Sequence, residues 1–345
     1  MYRIIQKRKI WFSLSGALIV SSILSLIFWG LNLGIDFTGG SALELKFSQT
    51  RPDSQTISNA LGELGLKDAY IQPVDDLGLI IRTVTLTEDR HQEVLLKIEQ
   101  IQNPEAKKVE GVVVDPAALG ITGEGLESAQ ITATGADLAK LPNSAIKSIS
   151  YKTFEELKFE SVGPIIGNEL KQKSIYAIII VMLAIIAYIA YAFRQVSYPV
   201  ESWKYGVSAI VALLHDITIV PGVFAVLGHF AGVQIDAYFI TALLTLLGFS
   251  VHDTIVTFDR IRENLHRKQD KTFEEVVNIS VNETIVRSLN TSLLTVFVLL
   301  AVFLFGGETV KYFVLALFLG IIVGTYSSIF IASPLLIEIY KRKKS

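Results

Sequence analysis

Six long runs of apolar residues constrain this chain more than any other feature of its sequence. A helix needs about 20 apolar residues to cross the hydrocarbon core of a bilayer. Together with an apolar share of 51%, the runs predict a polytopic α-helical membrane protein with six transmembrane helices and exclude a soluble enzyme. The predicted spans are Ile10–Leu31, Ile175–Phe193, Tyr205–Leu227, Ala237–Phe258, Leu289–Phe305 and Tyr312–Ile337.

The connections between the spans predict the orientation of the chain. The first span is too long for the apolar part of a signal peptide and has no nearby small-residue cleavage site, so we expect it to be retained. Lys and Arg collect in the N-terminal tail, beside the second connection, in loop 259–288 and in the C-terminal tail. Since short cytoplasmic connections are enriched in Lys and Arg, both termini are expected in the cytoplasm and segment 32–174 outside it.

The charge of the chain divides along the same boundary. Segment 32–174 holds 14 Lys or Arg and 21 Asp or Glu, a net charge of −7, whereas the remainder carries +5. We therefore expect three regions: a tail with the first span at 1–31, an extracytoplasmic domain at 32–174, and five spans with a basic tail at 175–345. Such an acidic external surface does not favour nucleic acid.

The external segment shows the pattern of an α+β ferredoxin-like domain. Strands are expected at 41–48, 69–74, 79–86 and 151–159, with helices at 54–64 and 88–102, in the order βαββαβ. Residues 103–150 are rich in small and polar residues and are expected to form an insertion of short strands and loops. The domain has no metal-ligand cluster and no nucleophile–base motif. Cysteine is absent, which also excludes disulfides and thiolate chemistry.

Three local motifs predict structural features. Gly34, Asp36, Gly39 and Gly40 belong to a sequence, GIDFTGG, that predicts a tight turn after the first span. Gly320 and Gly324 form a small-residue stripe that suits close helix packing in the last span. Thr272–Glu275 is a capping box, expected to open a short amphipathic helix, 273–284, at the inner membrane surface.

Polar residues inside the spans are the functional candidates, because ionisable groups at membrane depth are costly. Asp216 and Asp253 each follow a histidine, and Ser250, Asp253, Thr254, Thr257 and Arg260 share one helical face. A second stripe comprises Arg287, Asn290, Thr291 and Thr295. The candidates for an ion relay are His215, Asp216, Ser250, His252, Asp253, Thr257, Asp259, Arg260 and Arg287. When dehydrated, Asp216 should be near neutral or paired, with Arg260, Arg287 or a group on another subunit as its expected partner.

An intramembrane protease is a poor alternative. Asp216 and Asp253 should lie about 18 Å and 8 Å from the cytoplasmic ends of their helices. That offset prevents two carboxylates from sharing a proton as an aspartic dyad does. Ser250 and His252 are two residues apart and do not face each other on a helix.

Several motifs in order resemble the SecD/SecF family of protein-export membrane proteins, and its SecF members in particular. They are GIDFTGG, Val162-Gly163-Pro164 with Gly167, His215-Asp216, GFSVHDTIVTFDRIRE at 248–263, and Phe305-Gly306-Gly307. The likeness implies an RND-type half bundle that a SecD-like subunit completes, and it places the ion path at Asp216 and at 253–260.

The same likeness implies a role beside the SecYEG channel and SecA in the bacterial cytoplasmic membrane. There an H⁺ or Na⁺ gradient would help to draw unfolded polypeptides outward, with no enzyme activity, cofactor or bound metal. Two other functions remain open on the residues alone. One is an RND-like exporter of small solutes or lipids, and the other is a structural assembly subunit with inert carboxylates.

Overall fold

The structure is a computed structural model that describes residues 2–104, 112–114, 129–131, 146–149, 153–194 and 200–342. It divides into two compact units. One comprises Met1–Gly34 with Leu170–Ser345, and the other comprises Ile35–Glu169. Each unit has its own hydrophobic core.

The first unit contains helices long and apolar enough to span a membrane. Six such helices are found among the described residues, as predicted. A 3₁₀ turn, Ile5–Lys7, leads into the first of them, and the last is built from two α-helices joined by a π-helical segment, Ser328–Ala332. The α-helices of this unit are α1 (Arg8–Phe28), α5 (Pro164–Ala192), α6 (Ser202–Ala231), α7 (Ala237–Arg267), α8 (Phe273–Phe305), α9 (Glu308–Ser327) and α10 (Ser333–Arg342).

The prediction of a loop at 259–288 is wrong. Helix α7 continues to Arg267 and α8 begins at Phe273, so the connection between them is short. The capping box is present, with Thr272 and Glu275 bonded reciprocally. However, the segment that it opens is continuous with the fifth span and is not a separate amphipathic helix. The charges there are paired across the hairpin: the carboxylate of Glu283 accepts bonds from Arg260 and Lys268 at 2.7 and 2.9 Å. Because these charges are paired, they do not require a surface loop. The sequence of α8 also contains no Gly or Pro that would interrupt the helix.

Helices α6 and α7 and the last span form the interior of this unit. About half of the most apolar stretch of each is buried, whereas α1, α5 and α8 are largely exposed in the single chain. Glycines permit the closest contacts. A Cβ on Gly320 would lie 2.0 Å from a methyl carbon of Leu246, and one on Gly222 would lie 2.3 Å from the Cβ of Ser22. The stripe predicted in the last span therefore packs against α7.

The second unit has the predicted βαββαβ order. Its strands are β1 (Gly40–Phe47), β2 (Tyr70–Val74), β3 (Gly78–Thr83) and β7 (Phe154–Val162), and its helices are α3 (Ser54–Glu63) and α4 (Glu88–Gln102). The antiparallel sheet has the order β2-β3-β1-β7, which is the ferredoxin-like arrangement. Alternate residues of β1, namely Leu43, Leu45 and Phe47, are buried beneath the helices.

The predicted turn at GIDFTGG contains a short helix, α2 (Ile35–Thr38), followed by two glycines with positive φ. Gly39 has φ +73°, and a Cβ there would lie 2.7 Å from the Cα of Pro164. A Cβ on Gly167 would lie 2.9 Å from the backbone nitrogen of Gly39. Two motifs that are far apart in the sequence thus meet, and only glycine allows this approach.

Three short strands lie within the predicted insertion. They are β4 (Val112–Val114), β5 (Ala129–Ile131) and β6 (Ile146–Ile149), which form a sheet in the order β5-β4-β6. The rest of the insertion lies outside the described residues.

Candidate functional site

Asp216 lies inside the helical unit and accepts hydrogen bonds from two neighbouring elements. Its Oδ2 atom accepts from the hydroxyl of Ser250 on α7 at 2.5 Å and from that of Ser327, the last residue of α9, at 2.7 Å. Only 5% of the residue is exposed. A buried carboxylate is tolerated only where such partners replace water, and the two hydroxyls take that place here.

His215 completes the set of donors. Its Nδ1 atom lies 2.8 Å from Oδ1 of Asp216, and because an ionised carboxylate only accepts, Nδ1 carries the proton. The other nitrogen, Nε2, points away from the carboxylate. It is buried and has no hydrogen-bond partner, while the imidazole ring lies 6.0 Å from the ring of Tyr326. The pair thus combines a carboxylate with hydrogen-bond partners on both oxygens and a buried ring nitrogen without one.

The arginines predicted to pair with Asp216 are not its partners in this chain. Arg260 instead bonds Glu263 and Glu283 at 2.5 and 2.7 Å, near the end of the α7–α8 hairpin. Arg287 is exposed on α8. The reason is geometric: serine hydroxyls and the adjacent imidazole already occupy both carboxylate oxygens, and Arg260 is ten residues beyond Ser250 along α7.

Asp253 is the second buried carboxylate, one turn after Ser250. It is 5% exposed, and its Oδ2 atom has no hydrogen-bond partner. Ser288 and Arg287 of α8 lie close enough to act on its carboxylate, as does the adjacent His252. The two carboxylates therefore face different helices and have different surroundings: one is saturated with donors, and the other retains a free acceptor.

The remaining candidates divide by burial. Thr257 is buried, 3.4 Å from the hydroxyl of Thr284 on α8. His252 and Asp259 are exposed on α7, and Asp259 pairs with Arg262 at 3.3 Å. The structure thus brings His215, Asp216 and Ser250 together, places Asp253 and Thr257 on the same buried face, and leaves the charged groups near the hairpin outside that cluster.

Four consecutive residues of the last span form a hub that the sequence reasoning missed. Thr325 bonds Ser292 of α8 at 2.6 Å, and the Tyr326 hydroxyl is 3.1 Å from Ser15 of α1. Ser327 reaches Asp216 of α6. Ser328 donates to the carbonyl of Ser250 on α7 and lies 2.8 Å from the Thr254 hydroxyl. A run of four polar residues, Thr-Tyr-Ser-Ser, in an apolar span was the available signal.

A small cavity adjoins Asp216. It is lined by apolar side chains together with Asp216 and Ser250. The space in which the centre of a water molecule could lie measures about 10 Å³. That is close to the minimum that one water requires. Among the residues that the structure describes, no cluster of three or more His, Cys, Asp or Glu could hold a metal ion.

The second predicted stripe does not face the interior of this chain. Arg287, Asn290 and Thr291 are exposed on α8, next to the exposed apolar side chains of Leu289 and Leu293. Lipid cannot satisfy such polar groups. The exposed stripe is therefore a surface that another polypeptide or water would have to cover.

Two family models match the chain. The C-terminal region of the SecD/SecF protein-export membrane proteins matches residues 143–342. The SecD/SecF GG motif matches residues 25–50, which include Gly39 and Gly40. The first match covers β6, β7 and the helices from α5 to α10, and the second covers the end of α1 and the glycine pair at the start of β1.

Curated relatives are similar over almost the whole chain. A protein translocase subunit SecF from Thermobaculum terrenum is 42% identical over 338 residues, which are 98% of this chain and 94% of the relative. One from Anaerolinea thermophila is 36% identical over 341 residues, with the same two coverages.

A solved structure has the same fold. The crystal structure of SecDF from Thermus thermophilus, described as a translocon-associated membrane protein, matches with a TM-score of 0.73 and 28% identity. The match covers 99% of this chain, and the chain spans 39% of the length of that SecDF polypeptide.

Proposed function

The chain belongs to the SecF family of protein translocase subunits, and from that premise we propose that it forms an ion-gradient-driven complex with a SecD-like subunit. In this role the complex assists the outward movement of secreted, unfolded polypeptides through the SecYEG channel, beside SecA. The names of the relatives favour protein export over an RND-like export of small solutes or lipids.

The observation that supports ion coupling is the buried carboxylate of Asp216, held by three donors in the interior of six apolar helices. A carboxylate inside a membrane span changes charge when it takes up an ion, and this couples its surroundings to the gradient. Moving one charge through 100 mV supplies about 2.3 kcal/mol. Asp253 offers a second carboxylate with an unpartnered oxygen. The coupling ion is H⁺ or Na⁺, and no other cofactor is invoked.

The exposed polar stripe on α8 supports a SecD-like partner. Arg287, Asn290 and Thr291 would be costly against lipid, and a second set of spans would cover them. The same helix faces Asp253 through Ser288, so the covering subunit would lie beside the second carboxylate. Co-purification of the chain with a SecD-like polypeptide tests this assembly.

The orientation follows from the distribution of charge. The basic tails and the α7–α8 hairpin would lie in the cytoplasm and the acidic unit outside the membrane, in agreement with the enrichment of Lys and Arg in cytoplasmic connections. The complex would reside in the bacterial cytoplasmic membrane, in contact with lipid along the exposed apolar faces of α1, α5 and α8. No role in nucleic-acid binding or catalysis is proposed.

A pair of Asp→Asn variants tests ion coupling. Asp253→Asn keeps the shape of the side chain but removes the charge from a buried site, whereas Asp259→Asn makes the same change at an exposed residue of the same helix. Export of a secreted reporter should be measured in inverted membrane vesicles with and without an imposed ion gradient. Asp253→Asn should lose the stimulation by the gradient and Asp259→Asn should keep it. Equal stimulation in both variants would refute the proposal.

A further inference from the structure

The last span changes its helix type beside Asp216. The α-helix α9 ends at Ser327, the π-helical segment Ser328–Ala332 follows, and α10 starts at Ser333. A π-helical turn is rare and occurs often at functional sites. It contains one more residue than an α-helical turn and so rotates the side chains on either side by about 100° relative to each other.

Both halves of this span are fixed by other contacts. In the outer half, Gly320 lies so close to Leu246 that a Cβ would overlap it. In the inner half, Leu336 and Ile337 are fully buried and Glu338 pairs with Arg8. Neither half can rotate freely to suit the other. The π-helical segment supplies the rotation about the helix axis by which the two halves differ. As a result, Ser327 reaches Asp216 while Ser328 reaches α7.

The hydroxyl of Ser327 has one proton and two acceptors within reach. Oδ2 of Asp216 lies at 2.7 Å and the carbonyl oxygen of Gly324 at 3.0 Å. An ionised carboxylate is the stronger acceptor because hydrogen bonds to charged groups are roughly twice as strong as neutral ones. When Asp216 takes up a proton that advantage is lost, and the carbonyl of Gly324 becomes the better partner.

We propose that Ser327, aimed by the π-helical segment, is a positioning residue that stabilises the ionised form of Asp216 and links its charge to the last span. This inference rests on the proposed ion coupling. Ser327 is fully buried, so water does not compete for its hydroxyl. Its neighbours Thr325, Tyr326 and Ser328 contact α8, α1 and α7.

The groups around Asp216 are few. His215 faces it from its own helix, Ser250 from α7 and Ser327 from the last span. Tyr326 is the other titratable group of the cluster and lies against His215. Asp253 is one turn beyond Ser250 and lies near Ser288 and Arg287 of α8. Within the described part of the chain, no Lys or Arg side chain makes a hydrogen bond or ion pair with Asp216.

Ser327→Ala and Ser328→Ala are a matched pair for the test. Both positions are fully buried serines in the hub, but only Ser327 donates to the carboxylate. The pH dependence of proton-gradient-driven export should be measured in inverted vesicles that contain the chain with its co-expressed SecD-like partner. Loss of a donor makes the ionised form less favourable. The midpoint for Ser327→Ala should therefore move about one unit toward higher pH, the equivalent of a tenfold change in proton affinity, while Ser328→Ala keeps the parental midpoint.

A parental midpoint in Ser327→Ala, or the same shift in Ser328→Ala, would overturn the positioning role. If Ser327→Ala does not accumulate, Ser327→Cys supplies the second test, because it keeps a similar side-chain size but offers only a weak S–H donor and should shift the midpoint in the same direction. An unshifted midpoint there would also refute the inference. A parental complex that shows no dependence on the gradient would instead refute the proposed function, so the two failures are distinguishable.

Discussion

Replacement of Gly222 by alanine tests the packing of the interior most severely. Gly222 is buried on α6 against Ser22 of α1, and an added Cβ would lie 2.3 Å from the Cβ and 2.6 Å from the Cα of Ser22. Ordinary contacts of a Cβ begin near 3.4 Å, so α1 and α6 must separate by roughly 1 Å at this point. Rotation of the Ser22 side chain cannot relieve the overlap between the added Cβ of residue 222 and the Cα of Ser22.

The expected cost of Gly222→Ala is about 1–3 kcal/mol, the range found when methyl groups are forced into well-packed cores. That should lower the thermal midpoint of the purified complex in detergent by several degrees. Gly248→Ala is the control, because this α7 glycine has nothing within 4 Å of an added Cβ, and alanine should not destabilise the helix there.

A second substitution at the contact refines this test. Ser22→Gly in the Gly222→Ala background removes the overlap with the Cβ and the hydroxyl but leaves the backbone contact. It should therefore restore only part of the stability. An unchanged midpoint in Gly222→Ala, or an equal loss in Gly248→Ala, would show that α1 and α6 do not approach as closely as described.

Two further predictions concern the second unit. Gly39→Ala places a side chain at φ +73° and 2.7 Å from the backbone of Pro164, so the amount of folded, protease-resistant complex should fall, whereas Gly62→Ala, with open space around it, should have no such effect. The side-chain and backbone bonds from Thr56 lower the pKa of Asp53, the N-cap of α3. The ionised cap therefore stabilises the helix above the ordinary pKa of aspartate, and this contribution is lost as the pH falls through the lowered value. Hydrogen exchange at the start of α3 should show that loss in the parent and not in Asp53→Asn.

The features most predictable from the sequence were those set by local pattern. Apolar run length identified all six spans, and alternation with short-range turn signals gave the βαββαβ order that the sheet confirms. The capping box at Thr272 was also visible, because its two partners are three residues apart. The predicted extent of the helix that it opens is too short, because the Lys and Arg residues of 259–288 indicate a surface loop. The pairing of Arg260 with Glu283 across the hairpin is not a local property of the sequence.

The surroundings of Asp216 could not be predicted in the same way. One of its donors, Ser327, lies 111 residues away in the sequence, and the polar run 325–328 that contains it does not indicate which helix each of its residues contacts. The prediction of an arginine partner assumed that a buried charge needs an opposite charge. Two hydroxyls and an imidazole satisfy it instead, and the direction of Ser327 depends on a π-helical segment that no propensity indicates.

Direct measurement of ion movement tests the role of the buried carboxylates most closely. The complex of the chain with its SecD-like partner should be reconstituted in liposomes, and H⁺ or Na⁺ uptake should be followed under an imposed gradient. The parental complex should take up one of these ions. The Asp216→Asn complex should assemble to the same extent but show no uptake above protein-free liposomes. Parental uptake by assembled Asp216→Asn would contradict the assignment of Asp216 to the ion path.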